Sequence, residues 1–241
     1  MRTPSEHSRD ERLAKLSLEL IPKMGAQWNQ HNLVTLRRQT LSRLLYFDLL
    51  YRNILGKPGT ICEFGVQWGA GLITLINLRG IHEPFNHQRE ILGFDTFSGF
   101  PATHSKDGSD PKVGDYAVAT DHEKTLAELM KIHEQNAPLS HISKSRLIVG
   151  DASETVLAWL DNNPQAVIAL AIFDMDLYQP TRDVLEAIKP RLFKGSIIAF
   201  DEFNNKVWPG ETEAIREILG LNRHSFHQFA HQPTCSWIEY S

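Results

Sequence analysis

The stretch QAVIALAIFDMD, residues 165–176, decides the fold. Its middle is continuously apolar rather than alternating, and it ends on two aspartates, Asp174 and Asp176. An uninterrupted apolar run of this length, closed by turn chemistry, reads as a parallel strand buried on both faces. Side chains at the carboxyl end of such a strand face the crevice in which open α/β sheets bind ligands. On that reading Asp174 and Asp176 stand at the mouth of a site. The competing reading gives Asp176 only the capping of a helix announced by Pro180 and Thr181, because Asp and Pro both favour helix starts. The stretch alone leaves the two readings level.

Working outward, the same plan recurs. KPGTICEFG gives a turn, a short strand and a glycine, while ILGFDTF, RLIVGD and SIIAFDEF are apolar strands that end in Asp. Helical patterns such as HEKTLAELMKIHEQ and TRDVLEAIKPRLF lie between them. Alternation of β and α calls for a mainly parallel sheet covered on both faces. The tail, HSFHQFAHQPTCSWIEYS, has two strand-like runs about a proline turn and is expected to close the sheet as an antiparallel hairpin. Residues 1–55 read as a charged, helical N-terminal extension with one apolar face, and residues 56–241 as the α/β domain. Residues 98–118, SGFPATHSKDGSDPKVGDYAV, break the rhythm. They are polar, rich in Gly, Pro and Asp, and longer than an ordinary βα connection, so they read as a lid or substrate-contacting loop.

The 241 residues carry a formal net charge of -4, which provides no global basic field for a phosphate backbone, so nucleic acid is not an expected partner. Cys62 and Cys235 lie far apart and form neither a metal-ligand spacing nor a disulfide framework, and the eleven histidines show no ligand spacing. The first twenty residues lack the apolar core of a signal peptide, and no later run approaches a membrane span. A cytoplasmic protein with no membrane partner is expected. The apolar faces of the helical extension suit a homo-oligomer.

The turn after the first strand is EFGVQWGAG, with Gly65, Gly69 and Gly71 leading into a helix. Glycines there let backbone N–H groups approach a ligand. A dinucleotide fingerprint needs a glycine where this chain has Gln67, which argues against the alternative of a nicotinamide-dependent oxidoreductase. Glu63 suits a cationic ligand group better than a pyrophosphate. The next strand ends at Asp95 and Thr96, where an acid can accept both ribose hydroxyls. Asp151 and Ser153, after the following strand, supply a polar pair for a nucleobase. An acid for an ammonium, an acid for a ribose and no pyrophosphate site together describe S-adenosylmethionine.

The blocks ICEFGVQWGAG, ILGFDTFSGFP, IVGDASETV, IFDMDLYQPTRDVLEAIKPRLFKGSIIAFDEFN and WPGETEAIREIL resemble successive blocks of the macrocin O-methyltransferase family. The resemblance runs from about residue 33 to residue 219. It implies a Rossmann-like class I methyltransferase with a seven-stranded sheet, an acceptor that is a glycoside or nucleotide sugar of antibiotic biosynthesis, and a divalent metal, usually Mg²⁺. It also implies roles: Asp174, Asp201 and Glu202 as metal ligands and Asp176 as general base. Three carboxylates are hard oxygen donors of the kind Mg²⁺ takes. Here Asp201-Glu202 stands where the family carries a pair of aspartates, and KGS replaces its Pro-Gly-Gly. A catalytically inactive cofactor-binding relative is the remaining alternative; its expected sign, loss of the acidic cluster, is not seen in the sequence.

Overall fold

The computed structural model describes residues 4–241; residues 1–3 of the expected extension lie outside them. The described chain forms two compact units, divided between Leu45 and Tyr46. The first contains α1 (Pro4–Leu20), a single helical turn α2 (Trp28–His31) and the start of α3 (Arg38–Asn53). Arg37 Nη2 meets Asp10 Oδ2 at 2.8 Å within it. The division falls ten residues before the boundary expected at 55, inside a continuous helix. Its reason is burial: Tyr46, Phe47, Leu50 and Tyr51 in the second half of α3 belong to the core of the second unit.

That unit is a seven-stranded sheet in the order β3-β2-β1-β4-β5-β7-β6. The strands β1 (Thr60–Phe64), β2 (Ile91–Asp95), β3 (Ser145–Val149), β4 (Ile168–Phe173) and β5 (Leu192–Phe200) run parallel. β6 (Phe226–Phe229) and β7 (Gln232–Glu239) add the antiparallel hairpin anticipated from the tail. Pro233, expected in the turn, is instead the second residue of β7, near a strand start where a missing N–H costs little. The helices α4 (Ala70–His82), α5 (His122–Gln135), α6 (Ala152–Asn162), α7 (Tyr178–Ile188) and α8 (Gly210–Ile218) complete the unit.

Alternation along the strands divides the core into two layers. Ile61, Ile91, Leu170, Ile172 and Ile197 pack with α3, α4 and α5, while Cys62, Phe64, Leu92, Phe94, Phe173 and Phe200 pack with α6, α7 and α8. The register brings Phe94, Phe64, Phe173 and Phe200 side by side on adjacent strands, with ring centroids 4.9, 5.2 and 5.7 Å apart in that order. Burying each such side chain contributes about 1.5–3 kcal/mol. Each phenylalanine is also the last apolar residue of its strand, followed by Asp95, Gly65, Asp174 and Asp201. The aromatic row therefore fixes the level at which the sheet stops being core. The acids stand together one residue beyond it.

Candidate active site

The sheet reverses its winding between β1 and β4, and this switch is where an open α/β sheet binds its ligand. The parallel ladder runs on past the strand ends there: Asp174 N–H donates to Phe64 O at 2.8 Å and Asp201 N–H to Phe173 O at 3.1 Å. Gly65 has φ +89°, and a Cβ on it would lie 1.9 Å from Asp174 O. Only glycine lets the β1 turn and the β4 acid meet so closely.

The anticipated cofactor residues lie at or near this edge, with differing partners, and Glu63 lies one residue inside it. Glu63 is buried beneath the first turn of α4, and Gly71 makes the room, since a Cβ there would lie 1.9 Å from Glu63 Oε1. Gly69, at φ +87°, precedes α4 directly. Asp95 Oδ2 accepts the N–H groups of Val66 and Gln67 at 2.7 and 2.8 Å, and Oδ1 accepts Phe97 N–H at 2.6 Å. Asp95 thus shapes the glycine turn itself, a role that the strand pattern did not reveal. Thr96 Oγ1 donates to Gly99 O at 2.9 Å and so opens the long loop. Asp151 caps α6, accepting Ser153 N–H at 2.8 Å. The pair expected to meet a nucleobase is also a helix start.

The acids expected to act in catalysis or metal binding follow β4 and β5. Asp176 occupies the turn between β4 and α7 with φ +61°, a left-handed conformation uncommon for a residue with a side chain. Asp176 does not cap α7: its first residue is Tyr178, Leu177 stands at the cap position without a side-chain cap bond, and Tyr178 N–H donates to Asp107 Oδ1 at 2.6 Å. After β5, Asp201 Oδ1 accepts from Cys235 Sγ at 2.9 Å, and Glu202 Oε2 accepts from Asn205 Nδ2. Glu202 N–H donates to Glu211 Oε1 at 2.9 Å, while Glu211 Oε2 is buried without a hydrogen-bond partner. Burial, reinforced by the negative charges of Asp201, Asp176 and Asp174, raises the Glu211 pKa well above the usual carboxylate range. Negative charge is therefore concentrated on this edge.

The donor set fits a hard cation in kind: Asp174, Asp201 and Glu202 offer oxygens in a field already crowded with negative charge. Among the described residues, however, no three His, Cys, Asp or Glu side chains stand together at ligand spacing. Asp201 and Glu202 are each engaged by a neighbouring side chain, Cys235 and Asn205 respectively.

Sequence reasoning missed three residues. Glu211 and Cys235 sit in ordinary-looking segments whose burial is a tertiary fact. Asp107 lies in the polar loop but is 1% exposed; it accepts Tyr178 N–H through Oδ1 and His104 N–H through Oδ2, each at 2.6 Å. The loop read as a lid is thus tied to the start of α7. Gly210, the first residue of α8, is what admits Asp107, since a Cβ on it would lie 2.2 Å from Asp107 Oδ1.

A separate cavity of about 790 Å³ lies at the opposite edge of the sheet, bordered by Lys57, Thr60, Arg89, Trp159 and Val167. Its buried cation, Arg89, is engaged by Ile54 O, Lys57 O, Gly59 O and Glu83, so this cavity is framed by a structural tie.

The strand order, the switch-point crevice and its acid edge define a class: methyltransferases of class I architecture. Within it, the chain belongs to the macrocin O-methyltransferase family, whose model, Macrocin-O-methyltransferase (TylF), matches residues 42–222. The crystal structure of CalS11, a calicheamicin methyltransferase, is 41% identical with a TM-score of 0.93, covering 100% of this chain and 94% of that one. The apo structure of CalS11, described as a TDP-rhamnose 3'-O-methyltransferase of calicheamicin biosynthesis, is 40% identical with a TM-score of 0.85, covering 100% and 96%. An 8-demethyl-8-(2,3-dimethoxy-alpha-L-rhamnosyl)-tetracenomycin-C 4'-O-methyltransferase of Streptomyces olivaceus is 28% identical over 195 residues. That alignment covers 75% of this chain and 66%, just under two thirds, of the relative. Methyl transfer to oxygen is thus the chemistry of the family, and the oxidoreductase alternative is set aside. Among the described residues no helix is long and apolar enough to cross a membrane.

Proposed function

We propose that the protein transfers a methyl group from S-adenosylmethionine to a sugar hydroxyl in antibiotic biosynthesis, and that its acceptor is a nucleotide sugar. The observation that carries this reading is the meeting of the β1 glycine turn with the β4 acids, with Gly65 against Asp174. A donor cradle and a proton acceptor there share one edge. The full-length likeness to CalS11, 41% and 40% identical in its two structures and described in one of them as a TDP-rhamnose 3'-O-methyltransferase, favours a nucleotide sugar over a finished glycoside.

When bound, S-adenosylmethionine supplies an electrophilic methyl group on a sulfonium. In this reading the chain's residues do the rest. The turn shaped by Asp95 leads the backbone to the start of α4 beside the donor, with Glu63 assigned to its ammonium, Asp95 and Thr96 to its ribose, and Asp151 and Ser153 to its base. Asp176 accepts the proton of the sugar hydroxyl as the oxygen takes the methyl group, a role that contributes on the order of 10²–10⁴ in rate. A divalent cation, if bound, would be held by Asp174, Asp201 and Glu202, where it would lower the cost of the alkoxide. The chemistry of the donors, three hard oxygen ligands, supports that assignment.

The same reading puts the enzyme in the cytoplasm with a small-molecule acceptor, without a nucleic-acid or membrane partner, and self-associated through exposed apolar side chains of the N-terminal helices such as Trp28, Leu33 and Val34. Incubation with labelled S-adenosylmethionine and a panel of nucleotide sugars and their glycosides tests the acceptor. Label should enter the nucleotide sugar; transfer only to glycosides would overturn that choice.

A further inference from the structure

We infer that Tyr116 and Trp208, backed by Phe100, form the wall of the acceptor subsite, against which the apolar face of the sugar ring packs. This rests on the sugar-acceptor reading above and adds the surface that would select the ring.

Three rings form a closed cluster: Phe100 and Tyr116 have centroids 5.3 Å apart, Phe100 and Trp208 6.1 Å, and Tyr116 and Trp208 5.9 Å. Phe100 is buried at 8% exposure and anchors the cluster, whereas Tyr116 is 50% exposed. Tyr116 therefore presents ring surface to solvent while resting on a buried ring. Tyr116 also holds φ +63°, a conformation that costs a residue with a side chain free energy and that concentrates at ligand-binding positions.

The cluster is joined to the turns that carry the acids: Trp208 lies in the segment between Asn205, which donates to Glu202 Oε2, and Glu211, whose Oε1 accepts Glu202 N–H at 2.9 Å. Asp107, in the loop between Phe100 and Tyr116, accepts Tyr178 N–H at 2.6 Å, two residues after Asp176. The wall is also preformed. Its two loops abut, since a Cβ on Gly108 would lie 3.3 Å from Val207 O and 3.4 Å from Pro209 Cδ. Phe100 N–H donates to Asp115 O and Gly114 N–H to Phe100 O, both at 3.0 Å, which fixes Phe100 against the segment that carries Tyr116. Asp107 then ties that loop to α7. A sugar presents C–H groups on one face and hydroxyls at its rim. Aromatic rings beside carboxylates match both, packing the face while an acid meets one hydroxyl.

The test uses TDP-rhamnose as the acceptor, with steady-state kinetics, and calorimetry with S-adenosylhomocysteine and with TDP. In Trp208→Ala and Tyr116→Ala, KM for TDP-rhamnose should rise about tenfold, the scale of one lost ring-stacking contact. Their kcat should fall less, and the affinities for S-adenosylhomocysteine and TDP should stay unchanged. Trp208→Phe and Tyr116→Phe, which keep a ring, should stay near the wild-type KM. If the alanine variants fail to fold, Trp208→Leu removes the ring face while keeping an apolar side chain and should give the same rise. An unchanged KM in the folded ring-deletion variants overturns the inference while leaving the sugar-acceptor reading intact. A parallel loss of TDP affinity also overturns it, by assigning the wall to the base. Failure of the wild type to methylate any sugar of the panel of nucleotide sugars and glycosides overturns the sugar-acceptor reading and the inference with it.

Discussion

Asp107, from the loop that follows β2, accepts the backbone N–H of Tyr178 at 2.6 Å, two residues beyond the proposed base Asp176. One buried carboxylate thus connects the loop of residues 98–118 to the turn that carries the proposed base. Asp107→Ala should leave the N–H groups of Tyr178 and His104 without their partner, at a cost of about 1–3 kcal/mol each. The melting temperature should fall, and limited proteolysis should cut within residues 98–118, where the wild type resists. A variant as stable and as resistant as the wild type would show that this tie is not made.

Gly65 is constrained from two sides, by its left-handed backbone and by Asp174 O at 1.9 Å from any Cβ. Gly65→Ala should therefore destabilise the fold by at least the roughly 1–3 kcal/mol of such backbone strain. Because the turn must move, it should also weaken S-adenosylhomocysteine binding measured by calorimetry. Full affinity in a well-folded variant would separate this turn from the donor site.

Asp174 and Asp176 should fail differently. Asp174→Asn removes a charged ligand from the proposed cation site, so activity should fall and return in part at high Mg²⁺, as mass action offsets a binding defect. Asp176→Asn removes the proton acceptor, so activity should drop by on the order of 10²–10⁴, stay low at high Mg²⁺, and rise toward alkaline pH. Wild-type activity that survives thorough chelation would remove the cation from Asp174, Asp201 and Glu202. Those acids would then act on the acceptor directly.

Glu217 gives the acid limb of stability a definite sign. Tyr178 Oη donates to it at 2.6 Å, Lys106 Nζ at 3.0 Å and Arg182 Nε at 3.1 Å, and these bonds lower its pKa to about 2. A carboxyl lowered on folding stabilises above its unfolded pKa, near 4.5, and loses that contribution as pH falls toward 2. The gap in melting temperature between wild type and Glu217→Gln should be constant above about pH 5 and should close in that window. The group lies at the surface, so the gap should be small and should shrink with added salt. A gap that widens on acidification would contradict the network.

The fold was legible where one residue type carried two messages. In ILGFD, AVIALAIFD and SIIAFD the apolar run marks a buried strand, and the terminal Asp marks where the strand leaves the core, so the acid edge could be read before any coordinates. The Phe ladder explains why this works, because register puts the last apolar residue of each strand at one level. Asp107 was not legible: between Lys106 and Gly108 it looks like any solvated loop acid, and its burial depends on the room left by Gly210, about a hundred residues away. Glu211 was hidden likewise, since only the packing of α8 under the β5 turn removes it from water. The division between the two compact units was not legible, because α3 is one unbroken helix whose second half is buried without a change of pattern.

The central claim is methyl transfer from S-adenosylmethionine to a sugar hydroxyl with Asp176 as the proton acceptor, and mass spectrometry of the acceptor tests it most directly. Incubated with S-adenosylmethionine, wild-type protein and TDP-rhamnose should give one product heavier by a single methyl group, with the methyl on a sugar oxygen. Asp176→Asn, folded and still binding S-adenosylhomocysteine, should give almost none at neutral pH. No methylated sugar from the wild type across nucleotide sugars and glycosides, or an undiminished yield from Asp176→Asn, would contradict the account.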